Sequence, residues 1–215
     1  MLSHEKARAF YDWFGAKQDW QRFYEDPAVD SLVRHLSLES AKSVIEFGCG
    51  TGRLAGSFLA NHLPADAEYL GLDVSPVMVR LTEGRLARFG DRARVLLTTG
   101  ETTLPVASGS FDRFISIYVL DLLTEDEVRS LVAEAHRVLA PGGLLGLVSL
   151  THGFTPLSRV VEKVWVTLHR ANPAIVGGCR PISLQKFVKD AWAIRHAQKI
   201  ARFGVPSEVL VAEKV

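Results

Sequence analysis

Cysteine is nearly absent from this sequence, with Cys49 and Cys179 the two it holds. They are too few and too far apart for a disulfide framework, which points to a reduced, cytoplasmic protein. Surplus charge is missing too. The 25 Lys and Arg stand against 24 Asp and Glu, a net charge of +1, and no basic run or basic-aromatic stripe disturbs the balance. Nothing there speaks for nucleic acid as a partner. No apolar run approaches the ~18–20 residues that a membrane span needs, and the opening MLSHEKARAF lacks the apolar centre of a signal peptide. Internal repeats, low-complexity tracts and evident linkers are absent. So is any His, Cys, Asp and Glu grouping at metal-ligand spacing, and no metal is expected. What remains is ordinary globular composition, 47% apolar and 23% charged, at a length suited to one α/β core with additions.

Glycine, by contrast, is concentrated where it matters. Residues 43–58, SVIEFGCGTGRLAGSF, read as a buried strand (Val44, Ile45, Phe47), a turn on Gly48, Gly50 and Gly52, and a helix with Leu54 and Phe58 on one face. Glycines at this density allow positive φ and let a ligand approach the main chain closely. The following helix turns its free N–H groups toward the same space. This is a nucleotide-type site at the carboxyl end of a first parallel strand. The spacing G-x-G-x-G, with Glu46 two residues ahead, departs from the dinucleotide fingerprint. A carboxylate beside the loop suits a cationic ligand and suits a pyrophosphate poorly.

Residues 69–73, YLGLD, form a second short strand ending on Asp73, followed by Val74 and the helix start Ser75-Pro76. Asp73 comes about one βαβ unit after the glycine turn, where its carboxylate can accept from both hydroxyls of a ribose. A helix over 77–89 then leads to strand 94–98, and strand 111–118 is apolar throughout, as a central parallel strand should be. Thr124 and Glu127 mark a capping box, and the helix it opens runs into Pro141-Gly142-Gly143 before a fifth strand at 144–149.

The string E-F-G-C-G-T-G, the strand-end Asp73, the segment Gly100–Pro105 and the R-V-L-A-P-G-G turn at 137–143 together resemble the class I S-adenosylmethionine-dependent methyltransferases. The likeness covers about residues 43–150 and is greatest to the bacterial small-molecule group that includes ubiquinone- and menaquinone-biosynthesis-like members. It implies a Rossmann-like α/β fold: a seven-stranded, mostly parallel sheet with an antiparallel last strand and helices on both faces. It implies a cofactor site of Glu46, Phe47, Gly48, Cys49, Gly50, Gly52, Asp73, Val74 and Met78. Glu101, in the place where the family more often has Asp, would accept from the adenine amino group, with Thr102 beside it. Tyr118, at the exit of the fourth strand, would lie at the methyl end, facing cofactor and acceptor both. Helices in 1–40, the second opening with Pro27 at its first position, would form a lid, with Tyr11 and Gln18 the residues to touch the cofactor.

Beyond 150 the expectations are a helix over 156–170, a short helix from Ser183 to Trp192, and a hairpin of 194–203 and 208–213 around residues 204–207. One domain results: cap 1–40, core 41–150, insertion 151–192 on the acceptor side, hairpin 193–215. The product would be S-adenosylhomocysteine. The acceptor would be a small molecule of apolar or aromatic character, on the strength of Phe154, Trp165 and Trp192. His152, after the fifth strand, is the candidate base and Arg180 a candidate clamp for an acceptor anion. His136 reads as structural. Two alternatives remain: a noncatalytic cofactor-binding subunit, and a nicotinamide-dependent oxidoreductase, against which the glycine spacing and Glu46 argue. Oligomeric state is not legible.

Overall fold

The apolar runs pair as one sheet. In the computed structural model, which describes residues 22–189 and 191–215 together with Ala9, Asp12 and Gly15, the strands are β1 (Ser43–Phe47), β2 (Glu68–Asp73), β3 (Ala93–Leu97), β4 (Phe111–Ile117), β5 (Leu139–Leu150), β6 (Trp192–Arg202) and β7 (Val205–Lys214). Their order is β3-β2-β1-β4-β5-β7-β6. β1 to β5 are parallel, and β7 enters antiparallel between β5 and β6. The strand order reverses between β1 and β4, so a crevice opens beyond their carboxyl ends, where ligands of open α/β sheets bind.

Among the described residues five α-helices accompany the sheet: α1 (Arg22–His35), α2 (Arg53–Asn61), α3 (Pro76–Leu86), α4 (Glu125–Val138) and α5 (Pro156–Ala171). Two apolar clusters form the core. One centres on Phe114, Leu131, Leu145 and Leu210, the other on Leu32, Phe58, Tyr69 and Val211. The Thr124–Glu127 capping box forms as its sequence requires, each side chain bonding the other's backbone N–H.

Four expectations change. α1 runs from Arg22 with Pro27 inside it rather than at its first position; Ala28, Val29 and Leu32 are buried on its inner side, and that burial outweighs the one backbone bond a proline removes. The Pro-Gly-Gly stretch is a bulge within β5, because Leu139 already pairs with Phe111 before Leu144 pairs with Arg113. The helix expected over 183–192 reduces to a single 3₁₀ turn, Leu184–Lys186, and Trp192 begins β6 opposite Lys214. The hairpin turns on Phe203 and Gly204, at φ 49° and 83°, the paired positive values that a two-residue hairpin demands. Pro206 therefore lies inside β7, opposite Ala201. Tyr11 and Gln18 lie outside the described residues, as does Trp20.

Candidate functional site

The loop after β1 is held by its own backbone. Gly48, Gly50 and Gly52 have φ of 79°, 55° and 74°, a region that side chains with a Cβ enter at a cost. Space closes the argument at two of them. A Cβ on Gly48 would stand 2.3 Å from Val119 Cγ2, and one on Gly52 2.7 Å from Thr82 Cγ2. The amides of Gly48 and Cys49 donate to Leu72 O at 2.8 and 3.0 Å, and Thr82 Oγ1 donates to Gly50 O at 2.7 Å.

Asp73 joins this loop to the end of β2. Its Oδ2 accepts from Gly50 N and its Oδ1 from Ser75 N, both at 2.9 Å. Burial nevertheless raises its pKa to about 6, those backbone donors only partly offsetting the lost hydration. Ser75 Oγ donates in turn to Asp12, so a residue ahead of α1 reaches this loop. Glu46, at the end of β1, is buried and accepts from Tyr69 Oη. Its pKa rises to about 7, through burial above all.

Two cavities flank the glycine loop and share Gly48, Gly50, Ile117 and Tyr118 in their linings. The first runs over Phe47, Leu72, Asp73, Val74, Met78 and Val119: apolar walls with one carboxylate, a setting for a nucleoside. The second holds Glu46, Glu25, Thr51 and Arg53: charges of both signs, a setting for an amino-acid zwitterion. Arg53 also pairs with Asp26 at 3.0 Å. An adenosine joined through sulfur to an amino-acid tail has this division of character, so the residues present fit S-adenosylmethionine.

Tyr118 sits at the junction of the two cavities. Its φ of 55° is an uncommon conformation for a bulky residue, held by its amide bond to Val148 O and by its hydroxyl, 2.7 Å from Ser207 Oγ. Tyr24 from α1 packs edge-on against its ring, centroids 5.9 Å apart. Burial pushes both phenols well above the ordinary range.

Other expected residues gather elsewhere. Glu101 and Thr102 line a separate open cleft with Glu127, and Thr102 Oγ1 bonds Ser130 Oγ. Thr98, not singled out from the sequence, borders the nucleoside cavity instead. Cys49 borders the polar cavity, while its sulfur lies where a Cβ on Gly71 would stand, 2.9 Å away; burial keeps the thiol protonated. His152 is exposed, Nδ1 2.7 Å from Glu162 Oε1, and it borders neither cavity. Arg180 fastens its loop to the exit of β4, donating to Leu123 O at 2.6 Å. Trp165 donates to Cys179 O, and Trp192 packs on His136; neither lines the two cavities at the glycine loop. Sequence reasoning missed Glu25 and Arg53, brought in by packing between α1 and α2, and Asp121, whose burial no local pattern announces. Asp121 Oδ1 is buried with no hydrogen-bond partner, and Oδ2 has Leu150 N at 3.4 Å. Burial raises its pKa to about 7. Among the described residues no acidic, histidine and cysteine cluster could hold a metal.

A methyltransferase-domain family model matches residues 44–143, the span holding the glycine loop, Asp73 and β4. Residues 44–143 are thus a methyltransferase domain of the class I S-adenosylmethionine-dependent family. Within that family the chain is 33% identical over 153 residues to a malonyl-[acyl-carrier protein] O-methyltransferase of Laribacter hongkongensis, a match over 67% of this chain and 50% of that one. It is 25% identical over 179 residues to the ubiquinone/menaquinone biosynthesis C-methyltransferase UbiE of a Geobacter species, covering 82% and 70%. The chain thus spans about half the length of the first of these relatives. Among solved structures the methyltransferase fold is matched by the cyclopropane synthase MmaA2 of Mycobacterium tuberculosis, with a TM-score of 0.73 at 18% identity over 99% of both chains.

Proposed function

We propose that this chain transfers the methyl group of S-adenosylmethionine to a small apolar acceptor and releases S-adenosylhomocysteine. One observation carries the reading: a single glycine loop divides an apolar cavity closed by Asp73 from a polar cavity holding Glu46, Glu25 and Arg53. The family's cofactor supplies a methyl group already activated on a sulfonium, so the protein's work is alignment and exclusion of water. In this reading Asp73 holds the ribose with the lone pairs its loop amides leave free. Glu46 and Glu25 favour the cationic end and Arg53 the carboxylate. Tyr118, with Tyr24 behind it, walls the junction where acceptor and methyl group meet. The apolar lining of Phe47, Leu72, Ile117 and Val119 keeps water out. Glu101 and Thr102 reach the adenine only if their segment folds inward.

An acceptor that must lose a proton needs a base within reach of it. Two groups compete for that task. His152 follows β5 but stands at the surface against Glu162. Asp121 favours the second reading: it is buried at the exit of β4, close in sequence to Tyr118, with one oxygen unpartnered. Labelled-methyl turnover tests both levels. Transfer to a panel of phenols, quinols and fatty acyl compounds supports the reading, and absence of transfer with S-adenosylhomocysteine still bound would leave a binding protein. Whichever of Asp121→Asn and His152→Ala lowers turnover by about 10²–10⁴-fold is the base. If neither does, alignment alone is the mechanism.

A further inference from the structure

α5 is a 16-residue helix with a single buried residue, Ser158. Its apolar side chains Leu157, Val160, Val164 and Leu168 recur at helical spacing on one face, and they are 59%, 58%, 55% and 38% exposed. The β6–β7 turn continues that face. A Cβ on Gly204 would lie 2.7 Å from Val161 and 3.0 Å from Leu157, so the turn rests directly on α5. At its tip Phe203 is 64% exposed, and Phe23 of α1 packs 5.8 Å from it. Soluble surfaces rarely line up this much apolar area without a partner.

One flank of the face is basic. Arg159, Lys163 and Arg170 of α5 and Lys199 and Arg202 of β6 stand against one acid of α5, Glu162. That carboxylate is already engaged by His152 Nδ1 at 2.7 Å and Gly153 N at 2.8 Å. In a chain of net charge +1 this surplus is local. The position is also defined. Leu150 pairs with Ser207, which puts the end of β5 and the start of β7 at the ligand end of the sheet. Phe23 is followed by Tyr24, whose ring meets Tyr118 at the cavity junction.

We propose that the face of α5 and the Phe203–Gly204 turn docks this protein on an anionic lipid bilayer, so that a membrane-dissolved acceptor enters the cleft beside Tyr118. An apolar helical stripe bordered by Lys and Arg is the pattern that lies in the headgroup layer of such membranes. A second copy of the chain fits worse. A two-fold contact would press the same basic flank against itself. The entry of an acceptor rests on the proposed methyl transfer; the docking does not.

Co-sedimentation with vesicles tests the docking without turnover. The intact chain should sediment with phosphatidylcholine vesicles containing phosphatidylglycerol, far less with phosphatidylcholine alone, and less as salt rises. Arg159→Glu or Lys163→Glu should weaken the anionic-vesicle partition about fivefold or more, since each basic group near such a surface contributes about 1 kcal/mol. The double variant Val160→Glu, Val164→Glu should lose roughly a hundredfold or more, by removing two apolar side chains from the lipid. Melting temperature and S-adenosylhomocysteine binding should stay as in the parent for every variant. Parent partition no greater than that of the double variant would overturn the proposal. So would a parent dimer in analytical ultracentrifugation that the double variant dissolves, because a second copy would then be the occupant. Vesicle binding without S-adenosylhomocysteine binding would overturn the functional reading and leave the docking intact.

Discussion

Two helices of nearly equal length, each opened by a capping box, part company in what they bury. α4 places Val128, Leu131, Val132, Ala135 and Val138 in the core, whereas α5 buries Ser158 alone. The same division runs through the molecule. Around α4 and the glycine loop, hydrogen bonds and contacts over-determine each backbone conformation. Around α5 a strongly amphipathic helix turns its apolar face outward. The cofactor side is built as a rigid frame, and the side after β5 is built as a surface for something else. Helix sequences of equal quality thus serve opposite ends, and only the surroundings tell them apart.

The sharpest test of the rigid side is Asp73→Ala. It removes a charged acceptor shared by the loop amides and, in the proposed site, the ribose. Two charge-assisted bonds at about 1.5–3 kcal/mol each should weaken S-adenosylhomocysteine binding about 10²–10⁴-fold by calorimetry. Because Gly50 and Ser75 also lose their acceptor, the melting temperature of the free protein should fall as well. A variant with weaker binding and unchanged melting would mean that the loop holds itself without Asp73.

Next in size is Leu131→Ala on α4, which should cost about 2–5 kcal/mol in urea unfolding, the usual range for a truncated core leucine. A loss under about 1 kcal/mol would erase the contrast between the two helices.

The pH dependence sharpens the comparison from another direction. Glu46, Asp73 and Asp121 have pKa values raised to about 7, 6 and 7 by burial. A carboxylate with a raised folded-state pKa makes the native state bind more protons than the unfolded chain between about pH 4 and 7, so its contribution to stability falls as pH rises through that window. Binding of a cationic ligand has the opposite sign, since it favours ionised Glu46. Glu46→Gln should therefore flatten the fall in melting temperature of the free protein between pH 5 and 8 (a window set by the shift itself), and weaken ligand binding most at pH 8. An unchanged slope in both measurements would show that Glu46 does not titrate there.

The smallest expected effect is Val164→Ala on α5. An exposed position away from special features should move stability by no more than about 0.5 kcal/mol. A larger loss in dilute solution would place Val164 in a contact within the folded chain.

Legibility in the sequence follows the same divide. The glycine loop and Asp73 were readable because positive φ and strand-end position constrain residue type directly. The mostly parallel sheet with an antiparallel last strand followed from the family likeness. Pro27 misled because burial of α1 overrides a local preference. Trp192 misled because helical and strand readings of a short apolar run differ only through the partner strand, here β7. Glu25, Arg53 and Asp12 were invisible because tertiary packing alone brings them to the loop. His152 sits after a strand end, as expected, and Arg180 in the loop after α5, yet each is spent on a nearby partner, Glu162 for one and the carbonyl of Leu123 for the other.

The position of β7 has a consequence for synthesis. The strand lies inside the sheet, between β5 and β6, yet of the sheet's seven strands it is the last to be synthesised. Until it emerges, β5 presents an unpaired edge whose residues Leu145, Leu147, Val148 and Leu150 are all buried in the finished protein. Such an edge invites pairing with other nascent chains. The tight Phe203–Gly204 turn shortens this exposure, because β6 and β7 can zip together locally, on the ~1–10 μs scale of hairpins, and dock as one preformed plug.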